Sequence, residues 1–214
     1  MLERIHYESR EDWLAGRIKS IGASEAAAAV GLSPFTTRRE LWLEKTGRKK
    51  HADLSDNLAV QYGVRLEPAM REMYKAEHPD TEVKYYPYDI LYESTRPWMT
   101  ATLDGELIEP DGRKGVLEIK TAQLGKKVQW EKWQDAVPVQ YFCQAIHQLL
   151  VTGWDFVVVY AKLVKLDGDS QLRAYRFERE NVQDDMDWLL QQETKFWNKF
   201  IVTDEEPPYE LPKI

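Results

Sequence analysis

The sequence predicts an α/β or α+β domain built round one sheet, and three observations carry that reading. Helical periodicity fills most of residues 23–77, strand-like segments crowd residues 81–121, and helix and strand alternate again from residue 126 onward. Apolar residues make up 43% of the 214, with 8 Trp and 11 Tyr, which supplies a real core and argues against disorder. The whole of 1–214 reads as a single domain, without internal repeats or low-complexity tracts.

Taken in order, "ASEAAAAVG" (23–31) is expected to form a short helix with Ser24 as N-cap and Gly31 as its stop. "TTRRELWLEKTG" (36–47) is a second helix, again closed by glycine. Residues 55–77 carry a longer helical pattern, which Pro68 is expected to kink or restart. Strands are expected at 81–86, 88–93, 97–108 and 116–121. Helices over 126–134 and 138–153 follow, then "FVVVYAKLV" (156–164) as a buried strand and "QLRAYRFER" (171–179) as an amphipathic one. A helix over about 180–200 and a Pro-rich tail complete the pattern.

Composition narrows the function classes. No apolar run approaches the roughly 20 residues of a membrane span. "MLERIHYESRE" has no apolar stretch of the signal-peptide kind. The single cysteine, Cys143, excludes an internal disulfide framework and a Cys-rich metal cluster, so a reducing cytoplasm is the expected compartment. The net charge of −7 is a poor global footprint for a DNA-binding protein. Charge is uneven, however: residues 36–50 are strongly basic and 203–210 acidic, so a polyanion has a place only on a local surface.

The chemistry concentrates in "TATLDGELIEPDGRKGVLEIKTAQ" (100–123). Strand alternation puts Leu117 and Ile119 on one face and Glu118 and Lys120 on the other. Pairing through the Pro-Asp-Gly turn brings Asp104 toward Glu118. Two convergent carboxylates suit Mg²⁺, a hard cation that takes oxygen ligands, and an adjacent ammonium can orient an attacking water. Glu-x-Lys recurs at 82–84 and 193–195, yet only the copy at 118–120 has an aspartate on an adjoining upstream strand. By itself the pattern also fits a salt-bridged face of an edge hairpin. Arg17 and Ser24 flank a helix start and make a candidate phosphate site, or equally a plain cap beside a surface arginine. Glu67 is a candidate third acid or a solvated helix carboxylate. Tyr141, Gln144 and Gln148 share a face at helical spacing, as a water- or phosphate-holding set or an ordinary polar stripe. His147 reads as structural or partly exposed, and Cys143 as core.

In order and spacing, "RIKSIGASEAAAAVGLSPF", "YGVRLEP", "TLDGELI…GVLEIKTA" and "VPVQYFCQAIHQLLVTG" resemble the phage lambda exonuclease and YqaJ-type viral recombinase family. The resemblance covers most of residues 17–165, the expected catalytic core, and leaves 166–214 as a C-terminal strand, helix and tail. It implies a restriction-endonuclease-like PD-(D/E)xK core, a mixed sheet flanked by helices. It implies an exonuclease using two Mg²⁺ ions, with Mn²⁺ as a substitute, that degrades linear duplex DNA from 5′ ends. The 3′ overhangs would pass to a single-strand annealing protein, the enzyme would be a homotrimeric ring, and a phage-encoded copy would act in the host bacterial cytoplasm. By the same resemblance Asp104, Glu118 and the Ile119 carbonyl bind metal, with Glu67 direct or through water. Lys120 positions the nucleophilic water, and Arg17 and Ser24 bind the terminal 5′ phosphate. Gln144, with Tyr141, belongs to the helix after the catalytic strands. Arg38 or Arg39 is the candidate third member of the phosphate pocket. The chain departs from the family pattern where Leu103 precedes Asp104 in place of proline. A resolvase-like endonuclease of the same fold and a non-catalytic DNA-binding recombination scaffold are the competing readings.

Overall fold

The computed structural model of the chain describes residues 1–50 and 56–210. It opens with β1 (Leu2–His6), α1 (Arg10–Arg17) and β2 (Ile21–Gly22), followed by a 3-10 turn (Ala23–Glu25) and the short helix α2 (Ala26–Ala29). Ser24 lies inside that turn and does not cap it. Gly22 holds the N-cap position, and its N–H donates to the Glu25 carboxylate at 2.9 Å. With the orphan amide satisfied by Glu25, the Ser24 hydroxyl is left for another partner.

Helix α3 (Arg38–Lys45) starts on a reciprocal cap: the Thr37 hydroxyl accepts from the Glu40 amide, and the Glu40 carboxylate accepts from the Thr37 amide at 3.0 Å. Gly31 and Gly47 end α2 and α3 at φ +73°, a left-handed conformation that glycine adopts without steric cost. Helix α4 (Leu58–Glu77) is capped by Asn57 and contains Pro68 in its interior. Of the expected kink or restart at Pro68, the restart does not occur: α4 is one helix through it. Met70, Arg71 and Tyr74 beyond it are buried, so packing of the second half outweighs one missing helix hydrogen bond. Ser55, the expected start of this helix, lies outside the described residues.

The strands that follow are β3 (Glu82–Lys84), β4 (Asp89–Glu93), β5 (Met99–Ala101), β6 (Gly105–Ile108) and β7 (Lys114–Leu124). Then come α5 (Lys127–Glu131), α6 (Val139–Thr152), β8 (Phe156–Lys165), β9 (Ser170–Glu178) and α7 (Gln183–Phe196), which runs into a π-helical turn (Trp197–Val202). They form two sheets where the sequence suggested one, ordered β1-β4-β5-β2 and β3-β6-β7-β8-β9. The strand expected at 97–108 divides: β5 joins the first sheet, β6 the second, and residues 102–104 step between them. Asp104 explains why β6 begins only at Gly105. Its carboxylate accepts from the Ile119 amide at 2.7 Å, replacing the backbone partner that a longer β6 would supply.

The larger sheet is mixed, with β7 and β8 parallel and its other pairs antiparallel. On β8, Phe156, Val158 and Tyr160 pack with Met70 and Tyr74 of α4, whereas Val157, Val159 and Ala161 pack with Ala145, Ile146 and Leu149 of α6. Burial on both faces accounts for the unbroken apolar run. Each large apolar side chain so buried contributes roughly 1.5–3 kcal/mol. This makes β8 a stiff support for β7, the strand that carries the chemistry. Among the described residues no helix is long and apolar enough to cross a membrane.

Candidate active site

Alternation along β7 sends Leu117 and Ile119 toward α4 and leaves Glu118 and Lys120 on the α6 side. Glu118 is only 3% exposed, so it occupies a place in the layer that an apolar residue would normally fill. Such a carboxylate needs donors, and it has three. Gln144 Nε2 donates to Oε1 at 2.6 Å, the Lys120 ammonium meets the same oxygen at 2.6 Å, and Gln148 Nε2 donates to Oε2 at 2.5 Å. Gln144 and Gln148 stand one helical turn apart on α6, which lets both amides reach one carboxylate. The sequence offers Gln148 as part of a water- or phosphate-holding set or a polar stripe; the structure makes it an equal partner of Gln144.

Asp104 arrives from the other strand of the hairpin. Gly105 lies opposite Leu117, so Asp104 falls beside Glu118. In a strand, the N–H and C=O of one residue point to the same edge. Because Asp104 takes the Ile119 N–H, the Ile119 carbonyl turns toward Asp104 as well. Arg71 donates to the Asp104 backbone carbonyl, and its guanidinium stacks 3.8 Å from the Tyr85 ring centre.

The electrostatics describe a site short of positive charge. Burial, then the Glu118 and Glu67 carboxylates, hold the Asp104 carboxyl well above its ordinary range, with Lys120 and the Ile119 amide pulling the other way. Burial and Glu118 likewise raise Glu67 on α4, against the pull of Arg71 and Lys120. For Lys120, burial works to lower the value, yet Glu118 and Asp104 together hold it above the usual lysine range. Its ammonium also sits 5.2 Å from the Tyr141 ring centre. Mutual repulsion of buried acids is what a divalent cation relieves. The oxygen donors of Asp104, Glu118 and the Ile119 carbonyl fit Mg²⁺. Among the described residues no three His, Cys, Asp or Glu side chains form a ready ligand cluster. Glu67 acts on Asp104 electrostatically from α4.

Arg17 and Ser24 come together: Arg17 Nη2 donates to the Ser24 hydroxyl at 3.1 Å, while the guanidinium lies 4.7 Å from the Trp13 ring centre. Burial lowers the Arg17 pKa, and Glu25 and Glu118 oppose that shift, so the pair stands within electrostatic reach of the carboxylate centre. Two residues not singled out from the sequence hold it. Lys45, whose side chain is 5% exposed, meets Glu25 at 2.7 Å and donates to the Arg17 carbonyl at 3.1 Å. Their pairing joins α3 to the turn after β2, and no local spacing announces it. Arg38 and Arg39 are engaged elsewhere, with Glu210 at 2.9 Å and Glu206 at 2.6 Å.

His147 is fully buried. Its Nδ1 lies 2.9 Å from Glu193 Oε1 and its Nε2 3.0 Å from the Thr100 carbonyl oxygen. The second Glu-x-Lys glutamate, Glu193, is thus an internal partner of α6. The third copy is a surface pair, Lys84 to Glu82 at 3.2 Å. Cys143 is buried, and burial pushes its thiol up to about 11, so it stays protonated at neutral pH.

A family model described as the YqaJ-like viral recombinase domain matches residues 12–155, a span that holds all of Arg17, Glu67, Asp104, Glu118, Lys120, Gln144 and Gln148. The chain is 28% identical over 199 residues to the uncharacterized protein YqaJ of Bacillus subtilis (strain 168), covering 93% of this chain and 59% of that protein. It therefore spans about three-fifths of the length of that curated relative. Among solved structures it is similar to the alkaline exonuclease LHK-Exo from Laribacter hongkongensis, with TM-score 0.67 and 20% identity over 90% of this chain and 93% of that one. The same exonuclease in complex with dAMP matches with TM-score 0.57 and 18% identity, covering 91% and 98% of the two chains. A phage related exonuclease from Haemophilus somnus 129PT matches with TM-score 0.56 and 13% identity, covering 87% and 96%. At these identities the structural likeness shows a shared fold, a mixed sheet flanked by helices.

Proposed function

This chain belongs to the YqaJ-like viral recombinase domain family, and from that premise we propose that it is a Mg²⁺-dependent exonuclease that degrades linear duplex DNA from its 5′ ends. The observation that carries the reading is the buried Glu118 carboxylate, held by Gln144, Gln148 and Lys120 beside Asp104 in a fold shared with exonucleases. An isolated surface hairpin has no reason to surround one carboxylate with three donors.

Asp104, Glu118 and the Ile119 carbonyl are the residues to hold Mg²⁺, or Mn²⁺ in its place. When bound, the cation supplies Lewis-acid polarisation of the phosphodiester and lowers the pKa of water, and two ions would serve the attacking and leaving oxygens. Gln144 and Gln148 fix the Glu118 carboxylate, so its direction is set before substrate arrives. Lys120 remains an ammonium beside two carboxylates, in position to orient an attacking water and to stabilise charge growing on the phosphate. Glu67 adds negative charge next to Asp104 and strengthens the demand for a cation. Arg17 and Ser24 supply a guanidinium and a hydroxyl for a terminal 5′ phosphate, with Lys45 and Glu25 as their support. Tyr141 flanks Lys120. The proposal extends to 3′ overhangs passed to a single-strand annealing protein, to a homotrimeric ring and to a bacterial cytoplasmic setting. Family membership is what supports those extensions.

The test is digestion of linear duplex carrying one labelled 5′ end, beside a covalently closed circle, with and without Mg²⁺. Loss of the 5′ label from the linear substrate, Mg²⁺-dependent and without nicking of the circle, is expected. Cutting of the circle would move the reading to a resolvase-like endonuclease, and no cutting of either to a DNA-binding scaffold. Arg17→Ala is expected to slow digestion of 5′-phosphorylated ends roughly tenfold or more, the loss of a charge-assisted contact, while 5′-hydroxyl ends change little. Equal slowing on both ends would remove the phosphate pocket from the proposal.

A further inference from the structure

Two segments of opposite charge lie against each other away from the carboxylate centre. Residues 36–50 hold six basic and two acidic residues, and residues 203–210 hold four acidic and no basic ones. The inner face of α3, with Leu41 and Trp42, packs on Phe196 and Phe200, and Arg38 and Arg39 at its start are partly exposed. After the π-helical turn the chain reverses at Asp204, whose φ is +58°, and runs back along α3. Asp204 takes both terminal nitrogens of Arg48 at 2.7 and 2.6 Å, Glu206 meets Arg39 at 2.6 Å, and Glu210 meets Arg38 at 2.9 Å. The Arg39 guanidinium also lies 4.5 Å from the Tyr209 ring centre. The carboxylates thus meet the arginines in reverse order, from beyond the C-terminal end of α3 to its N-terminal end.

A row of anions along a row of guanidinium forks is how a nucleic-acid backbone meets an arginine surface. The arginines are between 27% and 42% exposed, so solvent and salt screen each pair and hold it weakly. Duplex DNA offers a denser line of charge, about one per 1.7 Å of axis, and releases counterions on binding. On the reading of the chain as a DNA nuclease, we propose that residues 203–210 are an internal stand-in for nucleic-acid backbone. They occupy the arginine face of α3 until the phosphates of duplex DNA displace them.

The experiment measures binding of the full chain to a labelled linear duplex by fluorescence anisotropy in Mg²⁺-free buffer, over a range of salt. The combined substitution Asp204→Asn, Glu206→Gln and Glu210→Gln is expected to tighten binding about tenfold at low salt, with the gain shrinking as salt rises. Glu180→Gln, Asp184→Asn and Asp185→Asn remove the same charge from another exposed place and should change affinity by less than about twofold. Adding Arg38→Gln, Arg39→Gln and Arg48→Gln should cancel the gain from the tail. Equal tightening by the control set, no tightening by the tail set, or a gain that survives loss of the arginines would each overturn the proposal. DNA cleavage by the unaltered chain is a separate result: tighter binding without any cleavage would keep the stand-in and dismiss the nuclease.

Discussion

Lys120→Ala is expected to lower cleavage of linear duplex roughly a thousandfold while binding of the same duplex changes by less than about threefold. The asymmetry follows from where the ammonium sits. It touches Glu118 at 2.6 Å on the inner face of β7, whereas Arg17 and the arginines of α3 lie on other elements. Removing it takes away a charge matched to the reacting phosphate without stripping the surface that holds DNA. Glu118 keeps its two glutamine donors, so the fold should tolerate the change. Single-turnover cleavage and anisotropy binding, measured on one preparation, separate the two effects. Loss of both in proportion would show that Lys120 holds substrate and not the chemistry.

Glu193→Ala should cost roughly 1–3 kcal/mol of folding stability, the penalty for leaving a buried imidazole nitrogen without its hydrogen-bond partner. The carboxylate and the imidazole are both 0% exposed. The Nε2 of His147 faces the Thr100 carbonyl oxygen, and its Nδ1 faces the Glu193 carboxylate. With Glu193 gone, Nδ1 has nothing to bond. Denaturant unfolding of Glu193→Ala, of His147→Ala and of the double variant tests this. The double variant should be more stable than the sum of the single losses allows. A single-variant loss below about 1 kcal/mol, or strict additivity, would show that the pair is not a unit. Because α6 also carries Gln144 and Gln148, the same pair fixes the helix that holds the Glu118 carboxylate.

What the sequence revealed here depended on range. Alternation is local, so the shared face of Glu118 and Lys120 and the opposite face of Leu117 and Ile119 were readable from β7 alone. The hairpin turn then brought Asp104 to its place, since register follows from a short connection. The fate of Pro68 depended on tertiary packing of Met70 and Tyr74, which periodicity does not report. Ser24 looked like a cap because capping residues are recognised by type, yet the adjacent Glu25 had the longer reach. Lys45 with Glu25, and His147 with Glu193, join elements far apart in the chain, and nothing at either end signals the other. The division into two sheets was hidden because both halves of residues 97–108 are equally strand-like.

The three-residue step at 102–104 also makes chain length at this point part of the chemistry. Since side chains reverse face with every residue, inserting or deleting one here would turn the Asp104 carboxylate away from Ile119 while the flanking strands kept their own pairing. The turn through Pro110, Asp111 and Gly112 on the far side of β6 is exposed and under no such constraint. Length variation in this hairpin should therefore be confined to its tip, which makes that turn the place for a tag or a spliced segment and residues 102–104 the place to leave alone.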